Sequence, residues 1–139
     1  DLYSGIGSFG IECISRGAKK TTFVENNTNA LEILEKNIEL LKIEKKTKIQ
    51  KTKIISFLKQ PKIDDSYEII FFDPPFSENY FLEELKIIKN SNIYKTNHLI
   101  IIHRDIKSKD NFLNIMNIFM TKKYGRSKIL FGNFKLNTV

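Results

Sequence analysis

The sequence predicts an α/β fold: a mostly parallel sheet with helices on both faces, closed by a C-terminal antiparallel hairpin. Three observations lead there. Short apolar runs alternate with amphipathic stretches along the whole chain. A glycine-rich turn opens the first helical stretch, and the apolar run Tyr67 to Phe72 ends in an acid followed by two prolines. Runs of this kind suit strands buried on both faces of a parallel sheet, whose ligands gather at the carboxyl ends.

From the N-terminus, Ser8 to Arg16 carries Phe9, Ile11 and Ile14 at helical spacing, and Gly17 is placed to end that helix. Thr21 to Glu25 is a short β-branched run. Asn29 to Lys42 then sets Ala30, Ile33, Leu34, Asn37, Ile38 and Leu41 on one face, with charges opposite. Lys48 to Thr52 reads as a brief strand, Ile54 to Lys59 as a helical turn or two, and Tyr67 to Phe72 as a buried strand. Glu78 to Lys89 is helical by its Tyr80, Phe81, Leu82, Leu85 and Ile88 spacing. His98 to His103 is the next buried strand, and Asp110 to Phe119 reads as a further short helix. Met120 to Phe134, with Tyr124-Gly125-Arg126 in its middle, predicts two strands joined by a tight turn.

With 139 residues and 41% apolar content, residues 1–139 are expected to form a single domain, since single cores serve roughly 100–200 residues. No internal repeat or linker interrupts them. Asp1 opens directly onto the glycine turn, with no strand before it and no initiator Met, so a chain that has lost its N-terminus is expected. No run approaches the ~20 apolar residues of a membrane-spanning helix, and a soluble, cytoplasmic protein is expected. One Cys and two scattered His make no metal cluster. Cys13, between Ile11 and Ile14, reads as core packing.

A net charge of +7 suits a polyanionic partner. Yet the only arginines are Arg16, Arg104 and Arg126, and the crowding of Ile, Asn and Lys is what an AT-rich genome encodes for any partner. Charge alone leaves both readings open.

Gly5-Ile6-Gly7-Ser8-Phe9-Gly10 matches G-x-G-x-x-G, in which glycines permit a tight turn and a close approach of backbone to ligand. Glu25 closes the next strand twenty residues after Gly5, where an acid can accept hydrogen bonds from a ribose. Nicotinamide and adenosylmethionine sites both use this pairing.

Asp73-Pro74-Pro75-Phe76 separates them. Its prolines fix φ and remove two backbone donors, leaving a rigid loop with spare carbonyl acceptors. An exocyclic base amine is a poor nucleophile, because its lone pair is delocalised into the ring. Two acceptors, the Asp73 carboxylate and the Pro74 carbonyl, can orient its hydrogens and stabilise the positive charge that develops on nitrogen. Phe76 would offer a face on which the base stacks. A plain strand-ending turn with Phe76 in the core is the simpler alternative.

Taken in order, these motifs resemble the RsmD family of ribosomal RNA guanine-N2 methyltransferases over essentially the whole length. Asp1 to Glu12 looks like that family's cofactor loop, Phe23-Val24-Glu25 like its ribose-binding strand end, and Asp73 to Phe76 like its catalytic motif; Tyr124-Gly125 lies where its last hairpin carries a Tyr-Gly pair. The resemblance implies a Rossmann-like class I methyltransferase fold in a bacterial protein, with S-adenosylmethionine as donor. It implies Asp73, Pro74, Pro75 and Phe76 as catalytic residues, and Asp1, Gly5, Gly7, Gly10, Glu25, Asn26, Lys53 and Ile54 as cofactor-binding. A guanine of small-subunit ribosomal RNA, within an assembly particle, would be the target of a monomeric enzyme without metal. Arg104, Lys107 and Arg126 are placed to meet RNA.

Two departures stand out. Lys53 occupies a place where the family tends to carry Asp or Asn near the adenine, so adenine recognition that is weakened, or rerouted through the backbone of Lys53 and Ile54, is expected; the simpler alternative is that Lys53 points to solvent. The second is the family's N-terminal strand and RNA-contacting segment, which this chain is expected to lack. Rival readings are an adenine-N6 or cytosine-N4 methyltransferase, a nicotinamide oxidoreductase and a catalytically silent RNA-binding relic. The oxidoreductase leaves Asp73 to Phe76 unexplained. His98 and His103 bracket an apolar run and read as satisfied boundary residues rather than bases.

Overall fold

A computed structural model describes residues 1–91 and 93–135. They divide into two compact units, Asp1–Gln60 and Pro61–Val139.

In the first unit, strand β1 (Thr21–Glu25) pairs in parallel with β2 (Thr47–Lys51), from Thr21 opposite Thr47 to Glu25 opposite Lys51. The residues before the glycine turn also run beside β1. Leu2 bridges Val24 in parallel, the Val24 amide donates to the Asp1 carbonyl (3.0 Å) and the Ser4 amide to the Val24 carbonyl (3.1 Å).

Helix α1 (Ser8–Ser15) ends as expected at Gly17, whose φ of +103° is open to glycine. The Gly17 amide reaches the Ile14 carbonyl (3.1 Å) and the Ala18 amide the Cys13 carbonyl (2.9 Å), the paired bonds of a Schellman ending. Helix α2 (Thr28–Leu41) starts at Asn27, whose side chain accepts from the Ala30 amide at 2.9 Å. It closes with the same pair of bonds, but around Lys42, a non-glycine residue at φ +55°.

The buried face of α2 is rotated from the expected one. Leu31, Leu34 and Ile38 pack on Phe23, with Ile11, Ile43 and Ile49 beside them, while Ile33 and Leu41 are exposed. Helix α3 (Ile54–Leu58) buries Ile54, Phe57 and Leu58.

The second unit holds a four-stranded sheet in the order β3 (Tyr67–Phe72), β4 (Tyr94–Asp105), β6 (Ser127–Phe134), β5 (Met116–Tyr124). The β3–β4 pair is parallel; the β4–β6 and β5–β6 pairs are antiparallel. Helix α4 (Phe81–Lys89) buries Phe81, Leu85 and Ile88. Strand β4 contributes Ile100, Ile101 and Ile102 to the interior, and β6 contributes Leu130 and Phe134.

The helix expected over Asp110 to Phe119 does not form. Asn111 accepts from the Leu113 amide (2.9 Å), Asn114 takes φ +64°, and the chain turns into β5 at Met116. Asn side chains favour such local turns over helix. The apolar spacing that mimics a helix instead reflects Ile115 and Met116 entering the core, with a bulge at Phe119 where the β5–β6 register shifts.

His98 is buried on β4. Its Nε2 accepts from the Phe134 amide and its Nδ1 meets the Lys95 carbonyl, both at 2.9 Å, so the ring is neutral with its hydrogen on Nδ1. It is a satisfied strand residue, as expected.

Candidate active site

The glycine turn is built to three different requirements. At Gly5, with φ +55°, a Cβ would meet nothing within 4 Å, so the backbone there borders open space. At Gly7 a Cβ would strike Leu34, and at Gly10 it would strike Phe23 and Thr21. Those two glycines let α1 lie close on β1 and α2, which aims the helix N-terminus and its free amides at the turn.

Glu25, half-buried at the end of β1, is tied into that turn. Its Oε2 accepts from the Gly5 amide at 2.7 Å, and Oε1 accepts from Asn26 (2.8 Å) and Asn27 (2.9 Å). Oε1 is thereby filled, whereas Oε2 keeps one lone pair for a hydroxyl. Asp1 Oδ2 accepts from the Gly10 amide at 3.0 Å, and its Oδ1 is buried without a partner among the described residues. An open glycine face, an orphaned carboxylate oxygen and one spare acceptor on Glu25 fit an adenosyl-ribose group.

Lys53 is exposed, beyond the end of β2, and its carbonyl accepts from Ser56 (3.1 Å) and Phe57 (3.0 Å) as α3 begins. No side chain caps that helix. The Ile54 and Ile55 amides, not the Lys53 carbonyl, are the backbone groups free to meet a ring.

In the second unit, β3 and β4 run in parallel with Phe72 opposite Ile102, so Asp73 emerges beside His103. Asp73 Oδ1 lies 2.7 Å from His103 Nδ1, and the Phe76 and His103 rings meet in a T-shaped arrangement at a centroid distance of 5.3 Å. Pro74 is buried, and Phe76 is 44% exposed. The Pro75 carbonyl accepts from the Glu78 amide (2.9 Å) and from Arg104 Nη1 (3.2 Å); the Phe76 carbonyl accepts from Arg104 Nη2 (3.3 Å). Among the described residues no donor reaches the Pro74 carbonyl. The Pro74 carbonyl and Asp73 Oδ2 are among the acceptors left for a ligand.

A sequence model of the family described as Conserved hypothetical protein 95 matches residues 1–133. Ribosomal RNA small subunit methyltransferase D of Buchnera aphidicola subsp. Baizongia pistaciae is 30% identical over 137 residues, 99% of this chain and 68% of its own. This chain belongs to the ribosomal RNA small subunit methyltransferase D (RsmD) family.

The Haemophilus influenzae relative of the same name is 33% identical over 106 residues, 76% of this chain and 55% of that one. The chain thus spans between about half and two thirds of these relatives' length. Among solved structures, a Haemophilus influenzae protein described as a methylase superposes with a TM-score of 0.83 at 28% identity, covering 97% of this chain and 85% of that one. A ribosomal protein L11 methylase from Lactobacillus delbrueckii matches with a TM-score of 0.72 at 17% identity, over 98% of this chain and 68% of its own, a likeness of fold alone. The fold is that of class I methyltransferases.

In this RsmD chain one expected RNA contact is corrected. Arg104 is 1% exposed, and its guanidinium is spent inside the protein. Nε and Nη2 donate to the two oxygens of Asp110 (2.9 and 3.1 Å), the remaining bonds go to the motif's carbonyls, and the group lies 4.5 Å from the Phe81 ring centroid. Lys107 and Arg126 are exposed and are brought together, because the Ile106 amide donates to the Arg126 carbonyl at 2.9 Å.

His103, Arg104 and Asp110 are the site residues whose roles the sequence reading missed. The available signal was the polar pair His103-Arg104 directly after an apolar run. Using it requires the β3–β4 register.

Proposed function

We propose that this chain transfers a methyl group from S-adenosylmethionine to the exocyclic N2 amine of a guanine in small-subunit ribosomal RNA. The observation that carries this reading is the pair of acceptors at Asp73 and Pro74, in a loop where the Pro75 and Phe76 carbonyls are already engaged. Family membership supports the choice of ribosomal RNA.

The donor, when bound, supplies an electrophilic methyl group on a sulfonium. Gly5, Gly7 and Gly10 give the backbone turn for it, with Asp1 and the Asn26 segment beside them. Glu25 Oε2 accepts from a ribose hydroxyl, and the amides near Lys53 and Ile54 meet the adenine ring.

Asp73 and the Pro74 carbonyl accept from the two amine hydrogens, which favours a pyramidal nitrogen whose lone pair is localised toward the methyl group and not delocalised into the ring. As the nitrogen gains positive charge these acceptors bind it more tightly than they bind the neutral amine. The amine proton then leaves to Asp73 and on to water. Pro75 sets the loop's φ, and Phe76 stacks on the base, a contact of ~1–3 kcal/mol. Lys107 and Arg126 neutralise RNA phosphates.

The test is methyl transfer from labelled cofactor to ribosomal RNA, free and in small-subunit particles, followed by nucleoside analysis. Label in N2-methylguanosine is the expected result. Label in N6-methyladenosine moves the target to adenine, and no heat of binding to S-adenosylmethionine defeats the enzyme reading.

A further inference from the structure

We propose that His103 is a positioning residue for Asp73: its Nδ1–H holds carboxylate Oδ1, so that Oδ2 faces the base amine. The inference rests on the methyl-transfer reading above and adds to it a residue that the Asp-Pro-Pro-Phe motif does not contain.

The geometry is set by the sheet. Phe72 and Ile102 are the last register partners of the parallel β3–β4 pair, so Asp73 and His103, the next residue of each chain segment, lie side by side just beyond it. There the two side chains meet at 2.7 Å. A carboxylate oxygen only accepts, so the ring nitrogen facing it carries the hydrogen. Asp73 is exposed, with 44% of its side chain open to solvent, and alone it would spread over several rotamers. The bond from His103 selects one of them.

His103 is itself held. Its ring is 27% exposed and makes a T-shaped contact with Phe76, the residue that stacks the base. Next along β4, Arg104 fixes the carbonyls of Pro75 and Phe76. Two consecutive strand residues therefore restrain the motif from both sides: His103 orients the acceptor, and Arg104 engages the Pro75 and Phe76 carbonyls but not that of Pro74.

Pre-orientation of this sort acts on the rate of the bound complex more than on RNA affinity. The experiment compares the full chain with His103→Ala and His103→Asn, whose amide NH₂ can reach where Nδ1–H lies. Methyl transfer to ribosomal RNA is read as kcat and KM separately. His103→Ala should lower kcat about tenfold, the value of one well-placed hydrogen bond, with KM for RNA little changed, and His103→Asn should recover most of the loss.

An Ala variant as fast as the wild type, a loss confined to KM, or an Asn variant no better than Ala would overturn the proposal. A readout without turnover separates it from the reading beneath it. Long-range ¹H–¹⁵N spectra should show His103 as the Nδ1–H tautomer in the wild type, and that preference should fall in Asp73→Ala. A wild-type ring that is an Nε2–H tautomer, or one indifferent to Asp73→Ala, refutes the pairing even in a fully active enzyme. A correct tautomer in a chain that methylates no RNA leaves the pairing standing, but overturns both the methyl-transfer reading and the positioning role.

Discussion

Replacing Asp110 with alanine should destabilise the folded chain by ~3–5 kcal/mol, the usual cost of stranding one member of a buried ion pair. The Arg104 guanidinium is 1% exposed and the Asp110 side chain 4%, so water cannot substitute for the lost carboxylate. Two donated bonds, at 2.9 and 3.1 Å, disappear, and the charge keeps only two backbone carbonyls and the face of Phe81. Against a total stability of ~5–15 kcal/mol, such a loss is close to unfolding a small domain. Urea titration followed by circular dichroism measures it as a drop in midpoint with unchanged slope.

The double replacement Arg104→Met with Asp110→Leu removes the charges together and should fall within ~1–2 kcal/mol of the wild type or above it. It would still lose methyl transfer, because the Pro75 and Phe76 carbonyls are released. A midpoint for Asp110→Ala indistinguishable from wild type would refute the reasoning. So would a double variant as unstable as the single one.

Asp73→Ala should abolish methyl transfer while leaving calorimetric binding of S-adenosylmethionine largely intact, since the residues that fit the cofactor lie in the first unit; binding lost together with activity would contradict the assigned role. Lys42→Gly should raise stability by ~0.5–1 kcal/mol in the same urea assay, because it relieves a left-handed residue at φ +55° at the end of α2. Burial pushes the Cys13 thiol pKa upward, so native Cys13 should react with a disulfide reagent more slowly at pH 8 than in the urea-unfolded chain. The folded state holds that proton more tightly than the unfolded one. This contribution is therefore intact below the ordinary thiol range, near ~8.5, and lost as pH rises above it; thermal melts from pH 7 to 10 read it.

The parts of the fold legible in the sequence are those written by local chemistry. Tyr67 to Phe72 is an apolar run stopped by Asp-Pro-Pro, and it is β3 to the residue. Gly5 to Gly10 and Glu25 announce a turn and an acid, and the structure joins them through the Gly5 amide. What escaped depends on residues far apart in the chain. Ile33 and Leu41 are apolar yet exposed, so counting them rotated the face of α2. Asp110 to Phe119 has helical spacing, but its first part turns at Asn111 and Asn114, and its last residues enter β5, whose partner is the distant β6. Arg104 carries a charge that composition assigns to the surface, and only the position of Asp110 explains why it is buried. His103 was legible as a satisfied residue, and its partner was not.

The β3–β4 pairing has a consequence for folding fidelity. Its register jumps between Tyr67 opposite Tyr94 and Ile69 opposite Leu99, so the start of the pair does not dictate its end. A slip of one residue would exchange His103 and Arg104 between the two faces of the strand. The guanidinium would then project toward Asp73, and an imidazole would be left facing Asp110 and the carbonyls of the loop. In the observed register Arg104 is buried and paired with Asp110, so a slip that parted the two would carry the cost of an unpaired buried charge, a penalty borne by the misaligned sheet itself.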